Sequence, residues 1–282
     1  MYLNEKKIAI LLAAYNAEQY IAEQIESILT QTNQDWTLYI RNDGSKDNTG
    51  DVIAEYCEKY PNIIEIDRGA GNLGCRNNFF RLLEVVDSDY FMFCDADDVW
   101  FDDKIEISLD RMRELEAVHH NKPLLVHTDS AVYDADLNLM AESYWKTVNI
   151  NPDKFLTFNE ICICCCVGGS TMLLNRKVKD LMFPLADNDF IFDYWIAINT
   201  VQHGIISTIH RPTKKYRQHN TNVCGVTVGD ENSVFNKLKE SVSLLKKYKQ
   251  ESDKLKTIGY GGFAKYLFYK MIVIAKMRLS KY

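Results

Sequence analysis

Asp89-Tyr90-Phe91-Met92-Phe93-Cys94-Asp95-Ala96-Asp97-Asp98-Val99-Trp100 limits what this chain can fold into more than any other stretch. An aromatic, apolar run of strand length leads straight into three carboxylates. A buried carboxylate without a partner is costly, so the acids call for a cation or a ligand. In an open α/β sheet, ligands gather beyond the carboxyl ends of the strands. The stretch therefore predicts a buried strand over 90–94 that carries an acidic loop to such an edge.

The segments before it fit that frame. Ile8–Ala14 reads as a first buried strand, followed by a helix over Ala17–Thr30 with Ile21, Ile25, Ile28 and Leu29 on one stripe. Trp36–Ile40 reads as a second strand, ending in the polar turn Arg41–Thr49 that caps a helix to about Tyr60. A short strand, Ile63–Ile66, precedes the glycine-rich loop Asp67–Gly74 and a helix over Asn77–Val86. Four strands alternating with three helices predict an α/β fold with a doubly wound, parallel sheet.

Beyond the acids the pattern changes. Asp102 and Asp103 open a helix to about Ala117, and Leu124–Val132 reads as a strand before the turn Asp134–Asn138. Thr157 and Glu160 have capping-box spacing. Gly168-Gly169 lead into a strand, Ser170–Leu174, and then a helix to Met182. Phe192–His203 is a helix closed by Gly204. Ile205–His210 and Lys214–Gln218 read as strands on either side of Pro212.

Charge is spread unevenly. The net of −6 gives no reason to expect nucleic acid as a partner. From residue 231 on there are 12 Lys/Arg and 4 Asp/Glu, a net of +8, so the preceding residues carry −14. This basic end reads as two helices broken near Gly259–Gly262. The second, Phe263–Met277, sets Leu267, Ile272, Val273 and Ile274 among Lys265, Lys270 and Lys276. That pattern fits a membrane surface, or equally a docking helix with a solvated basic face. No stretch reaches the roughly 18 apolar residues of a membrane span. The run after Lys6-Lys7 mimics a signal peptide, but a helical pattern begins directly behind it and a first strand fits better. The eight cysteines, four of them within Cys162–Cys166, read as reduced thiols of a cytosolic protein that fill buried gaps.

The acids gain meaning from their company. Two carboxylates at Asp95 and Asp97 can face one cation, and Mg²⁺ or Mn²⁺ prefer carboxylate and phosphate oxygens. An Asp pair in a turn can equally be a hydrogen-bonded loop. Ala13-Ala14-Tyr15-Asn16 and Asn42-Asp43-Gly44-Ser45 end the first two strands, so they reach the same edge as the glycine loop. There Tyr15 can stack on a base, and Asp43 can accept from a pyrimidine N–H or simply serve its turn. The glycine loop is not a GxGxxG after the first strand, which disfavours a dinucleotide fold.

These stretches, with Asn72-Leu73-Gly74 and Asp95–Trp100, together resemble the inverting family 2 glycosyltransferases. Trp100, Phe192-Asp193-Tyr194-Trp195 and Tyr216-Arg217-Gln218-His219-Asn220 look most like the rhamnosyltransferase-type subgroup. The resemblance covers about residues 6–226. It implies a GT-A fold, a Rossmann-like mixed but mostly parallel sheet flanked by helices, over 1–230, with 231–282 as a basic helical extension. It assigns Asp43 to the pyrimidine base and Asp95 to the ribose or the metal. Asp97 becomes the metal ligand of a DxD motif, His219 a later metal or diphosphate ligand, and Asp193 the catalytic base. The nucleotide-sugar pocket would also take in Ala13, Tyr15, Asn16, Asn72, Gly74, Asn78, Ala96, Asp98 and Arg217, the last against a phosphate. The acceptor would meet Trp100, Gly169, Ser170, Tyr194 and Trp195. One departure is Asn42, where many relatives carry Asp.

The helix start at Asp193 adds an expectation of its own, because the N-terminal dipole favours an ionised carboxylate, as a base requires. The implied activity is metal-dependent transfer, with Mn²⁺ or Mg²⁺, from a nucleotide-diphosphate donor to a glycan or lipid-linked glycan. dTDP-rhamnose is the first choice of donor, and UDP-galactose or a UDP-N-acetylhexosamine the next. The place would be cytoplasmic, at the inner face of the cell membrane. A nucleotidyltransferase would want a basic glycine-rich loop after the first strand, which Ala13–Tyr20 lacks. A non-catalytic nucleotide-sugar module would not need Asp43, Asp95, Asp97, Asp193 and His219 together.

Overall fold

A nine-stranded sheet organises the protein. The structure, a computed structural model, describes residues 7–69, 71–219 and 237–279, with the side chains of all these except 237–243. The chain divides into two compact units. The first runs to Tyr144 and resumes over Val167–Arg217; the second joins Trp145–Cys166 to the chain from Gln218 on. The expected boundary at residue 230 lies outside the described residues. The unit boundaries differ from that expectation, because Trp145–Cys166 belongs with the C-terminal helices.

In the first unit β1 (Ile8–Ala14), α1 (Ile21–Leu29), β2 (Trp36–Asn42), α2 (Thr49–Lys59), β3 (Ile63–Glu65), α3 (Cys75–Val85) and β4 (Tyr90–Asp95) alternate as the hydrophobic periods predict. β3, β2, β1 and β4 lie side by side and parallel, with Ala13 opposite both Arg41 and Asp95. The three strand ends therefore reach one edge. Ile21, Ile25 and Ile28 of α1 are fully buried against Ile10, Leu12, Leu38 and Ile40, as their stripe predicts.

The sheet then becomes mixed. β5 (Val99–Trp100) follows the acidic loop, α4 (Lys104–Val118) crosses over, and β6 (Leu124–Tyr133) and β7 (Leu139–Ala141) form an antiparallel pair. After two short helices of the second unit come β8 (Met172–Asn175), α7 (Arg176–Met182), α8 (Phe192–His203) and β9 (Ile205–Arg217). The short helices are α5 (Tyr144–Thr147), which starts at the junction, and α6 (Phe158–Ile161). β8 inserts antiparallel between β4 and β6, and β9 runs parallel to β6.

The two strands expected around Pro212 are one strand. The ladder shifts register where Asp129 faces Pro212, which absorbs the residue that cannot donate. Past this bulge, Lys214 and Lys215 pair with Trp100 and Val99, so β9 delivers its end beside the acidic loop.

Trp100 was expected at an acceptor. Its side chain is instead 2 % exposed, in the core among Ile25, Ile28 and Ile105, with Lys104 Nζ 4.9 Å from its ring centre. The reason is the way the turn between β4 and β5 aims each side chain. Burial alternates from Asp95 to Trp100, so Ala96, Asp98 and Trp100 face in while Asp95, Asp97 and Val99 face out.

The second unit holds α9 (Lys237–Lys256) and α10 (Phe263–Leu279), broken where the glycines predict. Its buried side chains include Trp145, Phe155, Ile161, Leu255, Tyr260 and Tyr266. Thr157 caps α6 and bonds Glu160, as the capping box predicts. Cys162 and Cys166 are buried thiols, and burial pushes Cys162 up to about 12.

Two of the three lysines of α10 are drawn into ion pairs, while Lys265 stays exposed. Lys276 ion-pairs with Glu160 and donates to the Lys154 carbonyl (2.9 Å), and Lys270 lies 3.7 Å from Glu251. The exposed side of α10 also carries Phe268, Met271, Ile274 and Leu279.

Trp100→Ala should lower the free energy of unfolding by about 3–5 kcal/mol, the usual result of emptying a buried aromatic site. Urea denaturation measures it; wild-type stability would contradict a core role.

Candidate active site

The site begins where β1 and β2 end. Asp43 is 2 % exposed, and both its carboxylate oxygens are occupied. Oδ1 accepts from Leu73 N–H (2.7 Å) and pairs with Arg41 Nη1 (2.6 Å); Oδ2 accepts from Gly74 N–H (2.9 Å). Asn72 closes the same loop by donating to the Asp43 carbonyl (2.9 Å), and Gly74 takes φ +77°, which favours glycine.

Arg41 is buried as well. Its Nη1 also donates to Asn78 (3.0 Å), and its Nη2 to the Gly71 carbonyl (3.0 Å). Asp43 and Asn78 thus latch the glycine loop onto β2 through Arg41, a residue that sequence reasoning passed over. Tyr15 stands above this edge with half its surface exposed. Asn16, at φ +47°, holds it by bonding Ser45 Oγ (3.0 Å) and Lys46 N–H (2.8 Å).

The acidic loop, a turn between β4 and β5, holds two kinds of acid. Asp95 keeps 38 % of its side-chain surface open and Asp97 is half-buried. Asp98 faces inward, is fully buried, and ion-pairs with Lys214. Lys214 also donates to Ser170 Oγ and lies 3.8 Å from Asp95. Burial works against the charge on Lys214, but Asp98 and Asp95 outweigh it and hold its pKa above the usual lysine value. Burial also pushes the Asp98 carboxyl up, against the pull of Lys214.

Arg217 was expected to meet a phosphate. Its guanidinium is instead buried and bonded to the carbonyls of Asp97 (2.8 Å) and Ala135 (2.7 Å) and to Glu23. It clamps the acidic loop from behind.

Asp193 sits in the first turn of α8. Its Oδ1 accepts from Tyr194 N–H (2.7 Å) and its Oδ2 from Gly169 N–H (3.1 Å). Phe192 anchors the turn among Phe79 and Phe93, with ring centres 4.2 and 5.1 Å away. Gly169 has no room for a side chain, because a Cβ there would stand 2.2 Å from the Phe192 ring. The helix start was expected to keep Asp193 readily ionised. Burial dominates instead and raises it to about 6, opposed by the two backbone N–H groups and aided by the negative charge of Asp95.

The acceptor residues fare unequally. Ser170 turns its hydroxyl inward to Lys214, and the Gly169 N–H is engaged by Asp193. Tyr194 and Trp195 are half-buried beside Phe190, with ring centres 5.4 and 5.8 Å from its own. His219 follows β9 and is half-buried in the second unit; Asn220 lies outside the described residues. Lys214 was given no role from the sequence, although a buried Asp98 demands a cation.

Among the described residues no three His, Cys, Asp or Glu side chains gather into a ready-made metal site. The outward pair Asp95 and Asp97 nonetheless fits a hard divalent cation whose remaining ligands are diphosphate and water oxygens.

Comparison with known proteins bears on the family and the fold. The family described as "Glycosyl transferase family 2" matches residues 9–177. A dTDP-rhamnosyl transferase of Shigella flexneri, RfbG, is 40% identical over 225 residues, covering 77% of this chain and 74% of its own. An Escherichia coli UDP-Glc:α-D-GlcNAc-diphosphoundecaprenol β-1,3-glucosyltransferase, WfgD, is 24% identical, covering 74% of this chain and 75% of its own. Two solved structures share the GT-A fold over 98% of this chain. They are residues 1–349 of TarS of S. aureus with UDP-GlcNAc (TM-score 0.56, 14% identity, 74% of that chain) and the mannosyltransferase PcManGT of Pyrobaculum calidifontis with GDP-Man and Mn²⁺ (TM-score 0.54, 13% identity, 70% of that chain).

Carboxyl-detected NMR should find Asp193 titrating near 6, and Asp95→Asn should lower that value. A midpoint near the ordinary 4 of an aspartate would contradict the burial account.

Proposed function

The chain belongs to glycosyl transferase family 2 and is a nucleotide-sugar-dependent glycosyltransferase, and from that premise we propose that it moves rhamnose from dTDP-rhamnose to a hydroxyl of a lipid-linked glycan, with inversion. The observation that carries the chemistry is the carboxylate of Asp193, held by two N–H groups on one rigid turn and raised towards neutrality.

A carboxylate near 6 is still ionised at pH 7, yet it holds a proton better than an ordinary aspartate does. That is the compromise a general base needs. Asp193 takes the proton of the acceptor hydroxyl as the sugar's anomeric carbon is attacked. Attack on the face away from the leaving diphosphate inverts that carbon.

The donor lies along the edge formed by β1, β2 and the acidic loop. Tyr15 offers its exposed ring to the base. Asp43 fixes the loop that the base rests on, and one lone pair of Oδ2 remains for a pyrimidine N–H. Asp95 faces the ribose side. Asp97 would hold a Mn²⁺ or Mg²⁺ ion, which when bound neutralises charge developing on the leaving diphosphate.

The Shigella relative's name supports dTDP-rhamnose as donor, and the E. coli relative's name supports a diphosphoundecaprenol-linked acceptor. That second name also keeps UDP-hexoses as the alternative donors.

A lipid-linked acceptor places the reaction at a membrane surface. No helix of the described residues is long and apolar enough to cross a membrane. The apolar side of α10, with Phe268 and Met271 exposed and Lys265 and Arg278 beside it, suits shallow insertion among anionic headgroups.

A nucleotide-sugar panel with Mn²⁺ tests the donor. dTDP-rhamnose should give the fastest release of nucleoside diphosphate, and no release from any donor would sink the reading. With the selected donor, kcat should fall about tenfold per pH unit below about 6, because a protonated Asp193 cannot accept the hydroxyl proton. Asp193→Asn should keep donor binding and lose transfer; full transfer would place the base elsewhere.

Phe268→Ser/Met271→Ser should reduce co-sedimentation with phosphatidylglycerol vesicles several-fold. Unchanged co-sedimentation would leave α10 as a packing element.

A further inference from the structure

Three segments meet at the ammonium of Lys214. From the acidic loop comes Asp98, fully buried, whose Oδ2 forms the ion pair. From the turn before β8 comes the Ser170 hydroxyl, which accepts a hydrogen bond. Lys214 itself belongs to β9, and the N–H of Arg217, three residues on, donates to the other Asp98 oxygen (3.1 Å). One residue before Ser170, the Gly169 N–H binds Asp193 Oδ2 at 3.1 Å. The turn has no slack there, since a Cβ on Gly169 would collide with Phe192, the neighbour of Asp193.

We propose that Lys214 is a positioning residue that braces the acidic loop against the turn that aims Asp193. This rests on the reading of Asp95 and Asp97 as donor-side acids and of Asp193 as the base. The two groups of residues act on opposite sides of the bond being exchanged. They reach the site from the end of β4 and the start of α8, nearly a hundred residues apart in sequence. A misplacement of about 1 Å between such groups costs on the order of a hundredfold in rate. Lys214 joins them through a single charged atom that bonds Asp98 and Ser170 and lies 3.8 Å from Asp95.

A plain counter-ion for Asp98 would need only the ion pair, and neutral replacements of a buried pair are often tolerated. The bond to Ser170 is what a brace needs and a counter-ion does not. With Asp98 matched internally, the outward charges of the loop are those of Asp95 and Asp97. Two negative charges suit a divalent cation, so the brace also sets the charge that the loop presents.

The test compares Ser170→Ala with Lys214→Met/Asp98→Asn, which removes both buried charges together. Both variants should melt cooperatively and bind dTDP with Mn²⁺ within about threefold of wild type. Both should lose kcat, by about 10- to 100-fold, in turnover of the donor selected by the panel. Amide hydrogen exchange needs no substrate. It should speed up at Gly169 and the first turn of α8 in both variants, and remain as in wild type elsewhere in the sheet. Wild-type kcat in either variant would overturn the brace, as would unchanged exchange at Gly169. If wild type turns over no donor, the functional reading fails, while the exchange comparison still decides whether Lys214 aims the turn.

Discussion

The ion pair between Asp98 and Lys214 is the contact around which the site is arranged. A strand that runs into three acids cannot bury all of them unmatched, and the turn beyond it sends the third acid inward. Lys214 answers it from a strand 116 residues away in sequence. For the lysine to arrive there, β9 must run past Pro212, shift register, and pair with the two-residue strand behind the acids. Arg217 then follows on the same strand and clamps the acidic loop through the Asp97 carbonyl. The outward acids, Asp95 and Asp97, are only partly buried, while the inward one is matched by Lys214.

Much of the first half was legible because its information is local. β1 follows its apolar run, α1 its isoleucine stripe, and α8 begins and ends where Phe192 and Gly204 predict. The pairing of β8 between β4 and β6 was not legible, since nothing local in Met172–Asn175 names a partner eighty residues earlier. β9 looked broken because proline lacks a donor, and only the bulge opposite it rescues the strand.

The site followed the same divide. Asp43, Asp95 and Asp193 stand at or next to strand ends and a helix start, and Asp97 in the turn beyond β4, positions that local pattern reaches. Trp100 misled, because its nearness to the acids suggested function while its phase along the strand placed it in the core. Arg41 and Lys214 went unread because a buried cation is recognisable only through its partners. In the second unit, composition suggested an outward basic face on α10. The acids Glu160 and Glu251 draw two of its lysines into ion pairs, and apolar residues share the outside with Lys265.

In the proposed function, base and leaving-group handling fall to different parts of one frame, with Asp193 as the base on the acceptor side and the acidic loop on the donor side. That division makes a stereochemical claim. The anomeric configuration of the product, read from one-bond C–H couplings by NMR, tests it most directly. Asp193 as a general base predicts inversion relative to the donor. Retention of the donor's configuration would contradict the account, because it requires a second displacement that this arrangement does not provide.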